Sequence, residues 1–128
     1  MATRIGKPPC CDLTRLAAQL DALSHPKRLA IFDMLMGGVQ CNCEIHAQLG
    51  LSLSLISHHM RILEEAGLVR SQRDLNDARW IYYAIEPAAL GDLHSVLDAF
   101  LDEARIQPRS PACGPQGCAE GCGPGQAP

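Results

Sequence analysis

The chain has 128 residues, of which 47% are hydrophobic and 4% aromatic, and its formal net charge is −3. This length fits one domain with a modest core, and the charge argues mildly against a nucleic-acid partner. No apolar run is long enough to span a bilayer and no signal segment opens the chain, so we expect a cytoplasmic protein. Seven cysteines in such a protein indicate metal binding or redox sensing before structural disulfides.

The N-terminal third predicts an arm followed by two helices. Residues 1–11 are polar, contain Gly and Pro, and end in two adjacent cysteines, so they predict a mobile arm. Asp12 is expected to cap a first helix whose apolar positions continue to Leu23. A second helix is predicted to start at Ser24 and to end at Met36, before two glycines.

The middle of the chain predicts a helix-turn-helix. Residues 43–49 read as a short helix closed by Gly50, and residues 51–68 have the apolar spacing of an amphipathic helix. A polar second helix after a tight glycine turn is the arrangement that enters the DNA major groove. The alternative is an ordinary amphipathic helix in a small helical domain. The candidate DNA contacts on this helix are Ser52, Ser54, Leu55, Ser57, His58, His59 and Arg61.

The rest of the chain predicts a hairpin, a last helix and a tail. Residues 69–73 and 79–85 are β-prone runs joined by an Asp- and Asn-rich connection, with Arg73 and Arg79 placed to reach DNA phosphates. Pro87 opens a helix with a stripe of large apolar side chains. This stripe and the first helix are expected to pack against a second copy of the chain, or alternatively on their own core.

Residues 107–128 are rich in Gly and Pro and lack periodicity, which predicts a disordered tail. The tail carries Cys113, Cys118 and Cys122. They are either a second soft-metal site or the thiols of a flexible segment without a defined role.

Cys41 and Cys43 are the sharpest chemical feature of the sequence. Both are expected at the N-terminus of the short helix, where unpaired amides and the helix dipole favour the thiolate, the form that binds metals. All-thiolate sites select soft ions. The alternative is that both are small buried hydrophobic residues.

Three motifs carry a family resemblance: LSHPKRLAI at residues 23–31, SHHMRILEEAGLV at 57–69 and RSQRDLNDARWIYYAI at 70–85. In this order they resemble the ArsR/SmtB family of bacterial metal-responsive winged-helix repressors, over roughly residues 13–104. The resemblance implies a mainly α chain with a small β-hairpin, folded as a winged helix-turn-helix over residues 12–106. It also implies a homodimer through the first and last helices.

The resemblance also implies an inducer site. The family's soft-metal sensors carry Cys-x-Cys where this chain has Cys41 and Cys43. His46 stands where some arsenic sensors have a third cysteine, so Cys10 and Cys11 on the arm are the expected completing ligands. The family's zinc site on the last helix is expected to be absent. It would begin at Asp92 and His94, but Arg105 and Pro108 stand in its second half, and an arginine cannot ligate zinc.

Together these features predict an arsenite-responsive repressor, not an enzyme. The dimer would bind a pseudo-palindromic operator of a resistance operon and dissociate when cysteine thiolates bind trivalent arsenic. Three alternatives stay open. The signal is antimonite or a soft divalent metal, namely Cd(II), Pb(II) or Zn(II); the signal is thiol oxidation; or the protein is a thiol-metal carrier that does not bind DNA.

Overall fold

The computed structural model describes residues 10–118, and it describes side chains between residues 13 and 117. The helices of this part are α1 (Cys10–Leu23), α2 (Pro26–Met36), α3 (Asn42–Leu49), α4 (Leu53–Glu65) and α5 (Pro87–Phe100), with a 3₁₀ turn at Glu103–Arg105. The strands are β1 (Gln40–Cys41), β2 (Val69–Arg73), β3 (Ile81–Ile85), β4 (Cys113–Gly114) and β5 (Gly117–Cys118).

The apolar face of α4 is the centre of the core. Ile56, Met60 and Leu63 on α4 are almost completely buried, together with Ile31 of α2 and Ile45 of α3. Their spacing along α4 follows the helical period, so one face is covered while the other faces solvent. The sequence prediction of an amphipathic helix here is confirmed.

The turn between α3 and α4 depends on Gly50. Its φ of 68° lies in the left-handed region, and its N–H donates to the His46 carbonyl and so closes the end of α3. A side chain would strain this conformation, which glycine adopts freely. Ser52 then caps α4, because its Oγ accepts a hydrogen bond from the N–H of Leu55 at 3.2 Å. The predicted helix-turn-helix geometry is therefore present.

The three-stranded sheet has the order β1-β3-β2, with both pairs antiparallel. Strands β2 and β3 form the predicted hairpin, which we call the wing, and their connection is residues 74–80. Asp74 shapes this connection, since its Oδ2 accepts hydrogen bonds from the N–H groups of Asn76 and Asp77. Strand β1 was not predicted, and it pairs Cys41 with Tyr82.

Two sequence expectations about the ends of the chain were wrong in part. Helix α1 begins at Cys10, so Asp12 lies inside the helix and does not cap it. The tail is not wholly without structure, because β4 and β5 form a small antiparallel hairpin that pairs Cys113 with Cys118 in register. Among the described residues, no helix has the length and apolar character required to cross a bilayer.

Candidate DNA-binding surface and thiol site

The outer face of α4 presents short polar side chains and one cation. Ser54, Ser57, His58 and Arg61 are exposed, at positions i, i+3, i+4 and i+7 along one side of the helix. The Arg61 Nη2 lies 3.2 Å from the Nδ1 of His58, and the Ser54 Oγ lies 3.3 Å from the Oγ of Ser52. Side chains of this kind can read base edges in a major groove.

Two of the predicted DNA contacts on α4 are less exposed than the others. His59 is 3% exposed, because its position falls on the same helical face as Ile56 and Met60. Leu55 is half-buried against the core, whereas Leu53 is 48% exposed. The expectation that His59 faces the groove is therefore wrong for this geometry, that for Leu55 stays a prediction, and the more exposed leucine at the start of α4 is Leu53.

His59 lies close to other basic side chains of the α2 and α4 segments. Its ring centroid is 4.9 Å from that of His25 and 5.7 Å from that of His58. Its Nδ1 is 3.4 Å from Nη1 of Arg28, while its Nε2 has no hydrogen-bond partner within the described part. Desolvation lowers the pKa of His59 below the ordinary value of 6.5, and the charges of His25, Arg28, His58 and Lys27 lower this pKa further.

We expect acid to destabilise the fold through His59. Below about pH 6.5 the unfolded chain binds a proton at this residue that the folded chain, with its lowered pKa, does not bind. The free energy of unfolding therefore falls as the pH decreases from that value toward the folded-state pKa, with a slope of at most about 1.4 kcal/mol per pH unit from this group. Urea unfolding between pH 5 and pH 8 (roughly the range around that pKa) measures the slope.

The matched variants are His59→Gln and His94→Gln, since His94 is an exposed histidine on α5. His59→Gln should flatten the acid limb, and His94→Gln should leave it as in the wild type. Equal slopes in the wild type and His59→Gln would contradict the assignment.

The two wing arginines that were predicted to reach phosphates, Arg73 and Arg79, are exposed, and each has a partner within the wing. The Nη1 of Arg73 donates to the Ala78 carbonyl at 2.7 Å, and Arg79 forms a salt bridge with Asp77, with Nη2 and Oδ2 2.7 Å apart. The hydrogen bonds from Arg79 lower the pKa of the Asp77 carboxyl. A phosphate reached by Arg79 must therefore compete with this carboxylate.

Cys41 and Cys43 lie at the N-terminus of α3, as the sequence predicts. Cys41 is the N-cap residue: its Sγ accepts from the N–H of Glu44 at 3.4 Å, and its own N–H donates to the Glu44 carboxylate at 2.9 Å. The hydrogen bond from the backbone N–H of Cys41 lowers the pKa of the Glu44 carboxyl, and the contact with the Cys41 side chain lowers this pKa further. Cys41 is buried and Cys43 is exposed, and both are free cysteines.

Asn42, between the two thiols, is the residue that sequence reasoning missed. It is 7% exposed, and its Nδ2 donates to the carbonyl of Arg79 at 3.1 Å. A polar residue between two cysteines gives no sign in the sequence that it contacts a strand about forty residues away.

The thiol pair is not a complete metal site within the described residues, which contain no cluster of three or more His, Cys, Asp or Glu able to hold an ion. Cys10 and Cys11 are the first residues of α1, but their side chains lie outside the described part. The sequence predicted that the family's zinc site on the last helix is absent. Of the two residues at which it would begin, Asp92 has its Oδ2 3.7 Å from the Nη2 of Arg15, and His94 is exposed.

The tail cysteines differ from the Cys41–Cys43 pair. Cys113 is disulfide-bonded, and in that form it is not a thiolate ligand. Cys118 is described only as a position of β5, and Cys122 lies outside the described residues. The candidate second metal site therefore stays a prediction.

Comparison with known proteins gives a consistent result. The sequence model of the bacterial regulatory protein, arsR family, matches residues 25–71. The chain is 40% identical over 82 residues to the HTH-type transcriptional regulator YgaV of Escherichia coli, covering 63% of this chain and 80% of that protein. It is 35% identical over 78 residues to an arsenical resistance operon repressor of Staphylococcus aureus, covering 61% and 72% of the two chains.

Among solved structures, the fold is similar to that of a "possible transcriptional regulator for arsenical resistance". The two share 33% identity with a TM-score of 0.59, and the match covers 69% of this chain and 88% of the other. The likeness extends beyond the helix-turn-helix to the greater part of the described domain.

Proposed function

We propose that this chain, which belongs to the arsR family of DNA-binding transcriptional repressors, is released from its operator by arsenite. In the proposed mechanism the exposed face of α4 enters the major groove and the wing lies along the backbone. Binding of trivalent arsenic to Cys41, Cys43 and a further thiolate then lowers the affinity for DNA. Among similar proteins, the repressor of Staphylococcus aureus is named for arsenical resistance, which supports this choice of signal.

The single observation that carries the proposal is the position of the two thiols. Cys41 ends β1 and caps α3, so it touches the wing through its pairing with Tyr82 and adjoins α4 through the short helix. An ion that draws Cys41 and Cys43 together acts where both DNA-contacting elements meet. Sulfur donors select soft ions over hard ones.

The third ligand is proposed to come from Cys10 or Cys11. Trivalent arsenic takes three sulfurs, and the described part supplies two at this site. A contribution from residues 10 and 11, of the same chain or of a partner chain, would tie the start of α1 to α3. It would thereby couple inducer binding to the packing of α1.

A homodimer through α1 and α5 is proposed as the DNA-binding form. On α5, Leu93 is buried while its other large apolar residues are half-buried. Leu20 of α1 is 41% exposed and Leu101, just after α5, is 67% exposed. Gln19 of α1 is buried and its Nε2 has no partner within the described chain. A second copy against these helices would cover the apolar groups and offer an acceptor to Gln19.

The test is operator release in reducing, anaerobic buffer. Fluorescence anisotropy with the DNA upstream of the chain's own gene should show binding, and arsenite should weaken it by about 5- to 150-fold, the usual range of such couplings. By linkage, the same DNA should weaken arsenite binding by the same factor. DNA binding that does not respond to arsenite would contradict the choice of signal.

A redox signal is the second candidate, because Cys43 is an exposed free thiol and Cys113 is disulfide-bonded. Oxidation of thiols at the start of α3 would change the same junction. Release by a mild oxidant in the absence of arsenite, together with no release by arsenite in reduced protein, would favour this candidate.

A further inference from the structure

We propose that Asn42 is the positioning residue that couples the two thiols to the wing, an inference that rests on the proposed function. Asn42 lies between Cys41 and Cys43 in the sequence, and its side chain is hydrogen-bonded to the first residue of β3. A displacement of residues 41–43 on inducer binding is then transmitted to the wing through one side chain.

The contacts of Asn42 join three backbone positions. Its Nδ2 donates to the Arg79 carbonyl at 3.1 Å, and its Oδ1 accepts from the N–H of Ile81 at 3.4 Å. The same Oδ1 accepts from the N–H of Cys43 at 3.1 Å. The side-chain amide of Asn42 thus connects the backbone of Cys43, a candidate ligand, with the backbone of Arg79 and Ile81 at the start of β3.

Burial makes this link rigid. Asn42 is 7% exposed, so water does not readily replace its partners. A buried amide that loses a partner costs about 1–3 kcal/mol, and the segment 41–43 and the start of β3 are therefore expected to move together. Arg79 and its salt bridge with Asp77 follow, since the carbonyl of Arg79 is one of the anchors.

The β1–β3 ladder is the competing route. It pairs Gln40 with Tyr83 and Cys41 with Tyr82 through the backbone. The ladder does not involve the Asn42 side chain, and a side-chain variant separates the two routes.

The variant Asn42→Leu removes all three hydrogen bonds at similar volume. Asn42→Asp keeps the acceptor for Ile81 and Cys43 and loses the donor to Arg79. In Asn42→Leu we expect operator affinity without arsenite, and arsenite affinity without DNA, to stay within about threefold of the wild type. The factor by which arsenite weakens DNA binding should fall to about two, with an intermediate factor in Asn42→Asp.

A merely structural role would change the affinity for operator DNA or for arsenite, and it would leave unchanged the factor by which arsenite weakens DNA binding. Circular dichroism checks that each variant is folded, and Asn42→Asp carries the test if Asn42→Leu is not. Full coupling in a folded variant, or coupling lost only together with the DNA affinity, would overturn the inference and assign the route to the ladder.

A second measurement needs no arsenite. Iodoacetamide alkylates the exposed Cys43, and peptide mapping by mass spectrometry gives its rate with and without operator DNA. DNA should change this rate in the wild type and change it less in Asn42→Leu. An equal DNA effect in both chains, or none in the wild type, overturns the role of Asn42. Failure of arsenite to release the wild type instead ends the proposed function and leaves this measurement decisive.

Discussion

Replacing Cys41 and Cys43 together by serine is expected to abolish arsenite-dependent release of operator DNA. The double variant removes both described sulfur donors, and a hydroxyl is a poor ligand for a soft ion. The weakening of DNA binding by arsenite, about 5- to 150-fold in the intact site, should fall to no effect. Anisotropy titrations of operator DNA at increasing arsenite measure it.

The serine substitutions are chosen to preserve the fold. Serine is a good N-cap, so Ser at position 41 can accept from the N–H of Glu44 as the sulfur does. DNA affinity without arsenite should therefore stay close to that of the wild type. Cys113→Ser is the control, compared with the wild type in reducing buffer so that the disulfide of Cys113 is open in the wild type as well, because Cys113 lies in the tail hairpin and not at α3. A double variant that still releases DNA with arsenite would end the proposed thiol site.

The sequence predicted those parts of the fold that depend on local pattern. The apolar period of α4, the glycine at position 50 and the two β-prone runs of the wing each specify their element without reference to distant residues. The location of Cys41 and Cys43 at the start of α3 followed in the same way, because a helix start is also a local feature.

The remaining features depend on contacts between distant segments. His59 has the polarity of a groove-facing residue, but its position on α4 turns it toward Arg28 of α2. Asn42 is buried, and its Oδ1 accepts a hydrogen bond from the N–H of Ile81 at the start of β3. Strand β1 is two residues long, too short for a periodic pattern, and its pairing with β3 is what brings Cys41 to the wing. Only the assembled fold reveals these three relations.

Substitution of Ser57 by glutamate is expected to weaken operator binding by about 100-fold, which is roughly 3 kcal/mol. Ser57 is exposed at the middle of the outer face of α4, between Ser54 and Arg61. A carboxylate there loses the hydroxyl contact to a base edge and adds repulsion from the phosphates, in a surface with little positive charge to offset it. Residues 51–80 contain four arginines and four acidic residues.

The matched control is Ser110→Glu, because Ser110 is exposed and lies after the 3₁₀ turn, outside the helix-turn-helix, the wing and the proposed dimer helices. It makes the same change of charge, so a general effect of net charge on DNA affinity would appear equally in both variants. Ser57→Glu should lose affinity at every salt concentration tested, whereas Ser110→Glu should differ from the wild type by at most about threefold, with thermal unfolding unchanged in both. Equal affinities for the two variants would mean that the outer face of α4 does not enter the groove. The proposed release would then have to act through the wing alone, where the guanidinium of Arg79 is paired with Asp77.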